Sequence, residues 1–245
     1  MPLKEEFIRS GGWLFKRRSY LPLLLAAVFA AGILRGGPAG AGPAGAARLV
    51  AGLAVAALGL AVRIFTIGYS PAGTAGRNTE GQVAEVLNST GIYSAVRHPL
   101  YLGNFLMWLG VSLYGGIWWI VLVTVLAFVV YYERIMFAEE EFLRARFGED
   151  FEEWARKTPA FIPSFRKWEK PRLPFSARSV LQKEYSGFFS MVCSFTFVDI
   201  LLNAAAGSGP APGPFWKAGF AAGLAVYVVL RTLKRKTPLL SVEGR

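Results

Sequence analysis

Two short stretches hold side chains able to do chemistry. Arg97-His98-Pro99 contains the single histidine of the chain, and Glu139-Glu140-Glu141 sets three carboxylates in a row. Proline suits the first turn of a helix and pushes the residue before it out of helical geometry. A helix should therefore begin at Pro99, with His98 at its cap and Arg97 just outside. A helix N-terminus carries partial positive charge and unpaired N–H groups, so arginine and histidine beside it would form an anion site. The blander alternative has Arg97 touching lipid phosphate and His98 only capping.

The carboxylates lie in a longer polar segment, ERIMFAEEEFLRARFGEDFEEWARKTPAFIP (133–163). Ile135, Met136, Leu143, Phe147, Phe151 and Trp154 recur at roughly helical spacing, which predicts a helix whose apolar face lies along a membrane. Pairs Glu140–Arg144, Glu152–Arg156 and Glu153–Lys157 at i,i+4 should relieve the repulsion on its polar face. Gly148 should break the helix, and Pro159 with Pro163 should end it. Either that face is only solvated and salt-bridged, or one or two glutamates receive a cation. With Tyr93, Tyr101, Phe147 and Trp154 nearby, the two stretches would suit a ligand with a carboxylate, an ammonium and a sulfonium. S-adenosylmethionine is such a ligand, able to use cation–π contacts and charged hydrogen bonds. Composition alone does not single it out.

The elements that must position these residues are apolar helices. The 245 residues are 53% hydrophobic and 18% charged, with mean hydropathy +0.39. No charge occurs from Leu100 to Tyr132, a run well beyond the ~18 residues that mark a membrane span. Further apolar runs cover Tyr20–Leu34, Leu49–Tyr69 (broken by Arg63), Tyr185–Leu202 (broken by Asp199) and Phe215–Leu230 (broken by Lys217). As one helix, the uncharged run would be about 50 Å long against roughly 30 Å of hydrocarbon. Gly115-Gly116 should fold it into a tight hairpin, Pro99–Tyr114 and Ile117–Tyr132. The expected fold is all-α: a polytopic membrane bundle of about six apolar helices with interfacial helices on the cytosolic side. The run after Lys16-Arg17-Arg18 is read as a retained span, not a cleaved leader.

The net charge of +11 would raise nucleic acid as a partner in a soluble protein. Here the basic residues flank membrane spans, so orientation and anionic lipid account for them, and no nucleic-acid partner is expected. With a cytosolic N-terminus, all Lys and Arg except Arg35, Arg48 and Lys217 fall inside, which places both termini in the cytosol. Gly40-x-Gly42-x-x-Gly45 matches a dinucleotide fingerprint by chance, with no strand before it and Pro43 within it. Gly219 and Gly223 read as a helix-packing pair. The lone Cys193 reads as an inert thiol in an apolar run, and Asp199 as a paired packing residue within a span.

Arg97-His98-Pro99-x-Tyr101-x-Gly103, an apolar hairpin, then Glu139-Glu140-x-x-Leu143-x-x-x-Phe147-Gly148 and a closing Pro159-x-x-x-Pro163 resemble the isoprenylcysteine carboxyl methyltransferase family. That family belongs with the membrane phospholipid methyltransferases. The resemblance covers about residues 70–165, which sets a core between a two-span region at 1–69 and a basic linker with a two-span hairpin at 166–245. It implies an integral-membrane enzyme that takes S-adenosylmethionine from the cytosol and methylates a lipid-borne acceptor. Arg97, His98, Tyr101, Gly103, Glu139 and Glu140 would surround the cofactor. Arg134 and Asn104 are candidates for the acceptor side by position. Members often carry tyrosines after the Phe-Gly pair, where Phe151 and Trp154 stand here. In the linker, Ser176 should cap a short interfacial helix.

Methyl transfer from a sulfonium is an in-line displacement with a good leaving group, so alignment and exclusion of water are the main demands. No metal is required, and no ligand cluster has the right spacing. An ionised carboxylate or phosphate needs no base, whereas an amine would need one, and His98 is the sole histidine. The expected reaction is O-methylation of an acidic lipid or lipidated carboxylate, with phospholipid amine methylation second. An NADPH-dependent membrane reductase and a non-catalytic scaffold remain as rivals. Alanine- and glycine-rich spans point to a prokaryotic cytoplasmic membrane.

Overall fold

The computed structural model describes residues 2–18, 20–36, 43–74 and 84–245. Gly40 and Gly42 of the fingerprint match, and residues 75–83 of the polar segment before Arg97, lie outside them. Regular structure among the described residues is all helical: α1 (Leu3–Lys16), α2 (Leu21–Gly36), α3 (Pro43–Tyr69), α4 (Pro99–Gly115), α5 (Trp118–Phe147), α6 (Glu149–Lys157), α7 (Ala177–Ala205) and α8 (Pro214–Lys236), with short 3₁₀ turns at Gly91–Ser94 and Phe165–Lys167. Four of these, α3, α5, α7 and α8, are long and apolar enough to cross a membrane. The shorter α2 and α4 complete the six apolar helices expected from the sequence.

The hairpin forms where the glycine pair predicts it. Gly116 ends α4 in the left-handed region at φ 72°, and α5 starts two residues later. The second arm differs from expectation. It does not stop at Tyr132 but continues unbroken to Phe147. Thirty residues make about 45 Å of helix, about 15 Å more than the hydrocarbon. The acidic stretch is thus the projecting end of a spanning helix. Gly148, at φ 53°, then turns the chain sharply into α6.

That turn changes the role of the aromatic face. Phe151 is fully buried and Trp154 nearly so, so α6 presses its apolar side into the protein and not along a membrane. The glutamate pairing also differs. Glu153 does bind Lys157, but Arg144 reaches Glu141 and, across the Gly148 turn, Glu152. Glu140 pairs elsewhere, as described below.

α4 is the central helix, packed on α3, α5 and α7. Its contact with α3 is the most extensive and is built from small residues. A Cβ on Gly52 would sit 2.6 Å from the Gly110 carbonyl oxygen, and one on Gly59 would sit 2.6 Å from that of Gly103. The two backbones touch, the close approach by which membrane helices gain van der Waals contact. In α8, Gly223 packs on Val192 and Phe189 of α7, whereas among the described residues Gly219 meets only Trp216 of its own helix. At the far end of the bundle, Phe29, Ile33, Ile120, Phe195 and Trp216 form the apolar core.

Asp199 belongs to that far end and is fully engaged. It accepts from Tyr114 Oη at 2.5 Å and from the Gly213 N–H at 2.6 Å, so it ties α4 to the residue that caps α8. Ser176 caps as expected, accepting from the Ser179 N–H. The helix it opens is α7 itself, which starts two turns before the apolar run. No separate interfacial helix intervenes there.

Candidate functional site

Arg97 and His98 stand where the chain leaves a 3₁₀ turn and enters α4. Pro99 occupies the first helical turn and His98 the cap position, but the imidazole makes no cap hydrogen bond. The stretch around it is held by the segment after α6. The N–H groups of Arg97 and His98 donate to the carbonyls of Pro159 and Ala160, and that of Ser164 donates to Ala95. This pairing brings the two motif segments together.

Side chains complete the junction. Arg97 Nε and Nη2 donate to the two oxygens of Glu140 at 2.9 and 3.2 Å. Its Nη1 donates to the carbonyls of Ala155 and Thr158 at 2.9 and 2.6 Å. These carbonyls end α6, where the helix carries partial negative charge, so the guanidinium caps one helix while pairing with another. His98 Nε2 lies 2.9 Å from the same Glu140 oxygen. The anion expected at Arg97 and His98 is therefore Glu140 itself.

Glu139 faces a different neighbourhood. Tyr101 Oη donates to it at 2.9 Å, and His98 Nδ1 stands 3.7 Å away. Its side chain is 32% exposed against 18% for Glu140, so Glu139 is the more accessible of the two carboxylates. Burial pushes the nearby Tyr93 hydroxyl well above its ordinary pKa, and the charge of Glu139 adds to the effect. Aromatic rings adjoin these groups. His98 stacks on Tyr101, Tyr101 meets Tyr132 at 4.9 Å, and Tyr132 stacks on Phe128 at 4.1 Å.

The remaining expected residues divide. Asn104 joins the site, contacting Arg63 and Tyr132. Gly103 serves packing: a Cβ there would strike Arg63 Cγ and the Gly59 carbonyl. Arg134 points away. Two residues along a helix turn 200°, so it lies almost opposite Tyr132 on α5. It bonds Ser10 at 3.1 Å and covers the Phe7 ring of α1 at 4.4 Å. Phe147 and Trp154 line a separate mixed-charge cleft of about 550 Å³, with Ser94, Thr158, Asp150 and Lys157. Among the described residues, no group of three or more His, Cys, Asp or Glu side chains is placed to hold a metal ion.

Sequence reasoning missed Tyr132, Phe128, Arg63 and Glu184. The first two carried a signal. Phe128, Tyr132, Ile135 and Glu139 repeat at i, i+4, i+7 and i+11, one face of a helix once α5 is taken as continuous.

Residues 47–150 match the family model for phospholipid methyltransferase, and the resemblance read from the paired motifs is borne out. The match reaches back through α3. The chain is similar to the cobalt-zinc-cadmium resistance protein CzcN of Cupriavidus metallidurans, 40% identical over 83 residues, 34% of this chain and 38% of that protein. It is similar to the nickel-cobalt-cadmium resistance protein NccN of Alcaligenes xylosoxydans xylosoxydans, 36% identical over 83 residues with the same coverage. It also resembles the protein-S-isoprenylcysteine O-methyltransferase of Schizosaccharomyces pombe, 33% identical over 78 residues, 32% of this chain and 33% of that enzyme. The chain thus spans well under half the length of these curated relatives. No solved structure matches it.

Proposed function

We propose that the protein is an integral-membrane methyltransferase that uses S-adenosylmethionine to methylate an acidic oxygen of a lipid or lipidated acceptor. The observation that carries this reading is the convergence of Arg97, His98, Glu139 and Glu140 beside a ladder of aromatic rings. The match to the phospholipid methyltransferase family and the likeness to an O-methyltransferase support it. The names of the two bacterial relatives describe a cellular trait, not a reaction, and are compatible with it.

The donor set fits the cofactor. Glu139 offers an accessible carboxylate for a cationic group, and Tyr101 and Tyr132 present π faces of the kind that attract one. Arg97 is committed to Glu140 and to the end of α6, so it shapes the site and does not reach for the ligand. When bound, the cofactor supplies an electrophilic methyl group. The chain's own residues hold it beside the rings, orient it through Glu139 and exclude water behind Phe128 and Tyr132. No general base is needed for a carboxylate or phosphate acceptor. The phospholipid description of the family favours, second, a phospholipid amine.

The test uses purified full-length protein, a radiolabelled methyl donor and total membrane lipid, followed by chromatography of the product. A labelled O-methyl ester is the expected result, base-labile where the acceptor is a carboxylate and base-stable where it is a phosphate. Calorimetric titration with S-adenosylmethionine and with NADPH separates the reductase. Binding of neither would favour the scaffold and end the enzyme reading.

A further inference from the structure

A second cluster of ionisable side chains lies beside the first. Arg63, near the end of α3, grips Glu184 of α7 with two hydrogen bonds: Nε to Oε2 at 2.8 Å and Nη2 to Oε1 at 2.6 Å. The Glu184 side chain is 4% exposed and that of Arg63 12%. Burying both charges is costly, and apolar contacts could join α3 to α7 as well. The remaining hydrogen bonds give the pair a further consequence.

Arg63 Nη1 donates to Asn104 Oδ1 at 2.6 Å. A guanidinium has donors only, so the amide must turn its oxygen to Arg63 and its nitrogen away. Asn104 Nδ2 then donates to Tyr132 Oη at 3.3 Å. The Tyr132 hydroxyl accepts from Asn104 and keeps its own hydrogen for another partner, and among the described residues no hydrogen-bond acceptor takes it. The ring is packed between Phe128 and Tyr101, which fixes the oxygen. Tyr101 next to it donates to Glu139, so this hydroxyl stands alongside the proposed cofactor end.

We propose that the Arg63–Glu184 pair, acting through Asn104, makes Tyr132 a hydrogen-bond donor to the methyl-accepting oxygen anion. The inference rests on the methyltransferase reading and narrows its acceptor. A carboxylate or phosphate oxygen has several lone pairs, so one accepts from Tyr132 while another attacks. A free amine has a single lone pair, and a donor placed on it blocks attack. The acceptor oxygen gives a lone pair to the methyl carbon, the carbon–sulfur bond breaks and its electron pair stays on sulfur. The negative and positive charges cancel, and no proton moves. Tyr132 contacts the acceptor. Arg63 and Glu184 are positioning residues.

The rival account is that the pair only fastens α3 to α7. Two substitutions separate the accounts. In the double variant Arg63→Glu/Glu184→Arg the ion pair re-forms in reverse, but position 63 then only accepts. Asn104 must present its nitrogen there, and its oxygen takes the Tyr132 hydrogen. In Asn104→Asp the native pair stays, yet both oxygens accept, with the same effect on Tyr132. Full-length protein in nanodiscs is assayed for melting temperature, S-adenosylmethionine affinity by calorimetry, retention of oleate or phosphatidic acid without cofactor, and radiolabelled methyl transfer to each of these lipids and to phosphatidylethanolamine. Both variants, and Tyr132→Phe, should bind the cofactor within about twofold of wild type. They should lose at least tenfold in retention and in kcat/KM for the lipid that wild type methylates. The double variant should regain most of the melting temperature lost by either single change. Whether oleate or phosphatidic acid responds distinguishes carboxylate from phosphate. Normal transfer by Asn104→Asp or by the double variant overturns the inference, as does unchanged lipid use by Tyr132→Phe. A product N-methylated on phosphatidylethanolamine also overturns it, while leaving the methyltransferase reading intact. Absence of cofactor binding by wild type overturns both.

Discussion

Glu139→Gln and Glu140→Gln make the same chemical change at neighbouring residues and should fail in different assays. Glu140 Oε1 receives both Arg97 Nε and His98 Nε2, and Oε2 receives Arg97 Nη2. Glutamine has one oxygen, so its amide nitrogen would face a guanidinium donor. One charge-assisted hydrogen bond is lost, at about 1.5–3 kcal/mol, and two are weakened. The total, about 3 kcal/mol, sits at the low end of the range for a broken buried pair, because Arg97 keeps the carbonyls of Ala155 and Thr158. At about 2–4 °C per kcal/mol for a chain of this size, the melting temperature should fall by about 6–12 °C. Glu139 is more exposed, and an amide oxygen can still accept from Tyr101, so Glu139→Gln should lower the melting temperature less than Glu140→Gln does. It removes the charge that would meet the cofactor's cationic end, and the affinity for S-adenosylmethionine should drop roughly 10- to 150-fold. Differential scanning fluorimetry and calorimetric titration of both variants decide the matter. Wild-type affinity in Glu139→Gln, or a wild-type melting temperature in Glu140→Gln, refutes this division of labour.

Gly103→Val drives a branched side chain into the Gly59 carbonyl and the Arg63 side chain, so α3 and α4 should part and well-folded yield should collapse, whereas Gly12→Ala, whose Cβ meets no atom of the described residues within 4 Å, should be silent by the same solubility assay. Asp199→Asn weakens charged hydrogen bonds to Tyr114 and Gly213 and should cost about 1.5–3 kcal/mol of stability with cofactor affinity unchanged, as read by thermal melting and calorimetry. Arg134→Ala loses a hydrogen bond to Ser10 and a cation–π contact with Phe7, about 1–2 kcal/mol together. Its methyl transfer should stay within about threefold of wild type, and a loss of tenfold or more would return Arg134 to the acceptor side.

Much of this molecule is legible residue by residue. The uncharged run from Leu100 to Tyr132 fixes an apolar hairpin because its length exceeds one bilayer crossing, and Gly115-Gly116 marks the turn. Pro99 sets the start of α4 through its own ring geometry, and Ser176 sets the start of α7 through its hydroxyl. The side chains of Arg97, His98, Tyr101, Glu139 and Glu140 declare their chemistry by type. Such properties are local: they depend on covalent structure and on neighbours three or four residues away.

Who pairs with whom is not local. Glu140 could have met Arg144 one turn along its own helix. It meets Arg97 instead, because residues 159–164 run beside residues 95–98 and carry the end of α6 under the guanidinium. Arg63 and Glu184 are separated by 121 positions and meet only because glycines let α3 lie against α4, with α7 closing over both. Arg134 lies in the same acidic segment as the site residues, yet faces α1, since a helix turns 100° per residue and the fold decides which side is buried. Sequence dictated the kinds of group and the elements that bear them. Backbone contact between distant segments chose the partners, because desolvated charges must be paired within a few ångströms and only packing sets those distances.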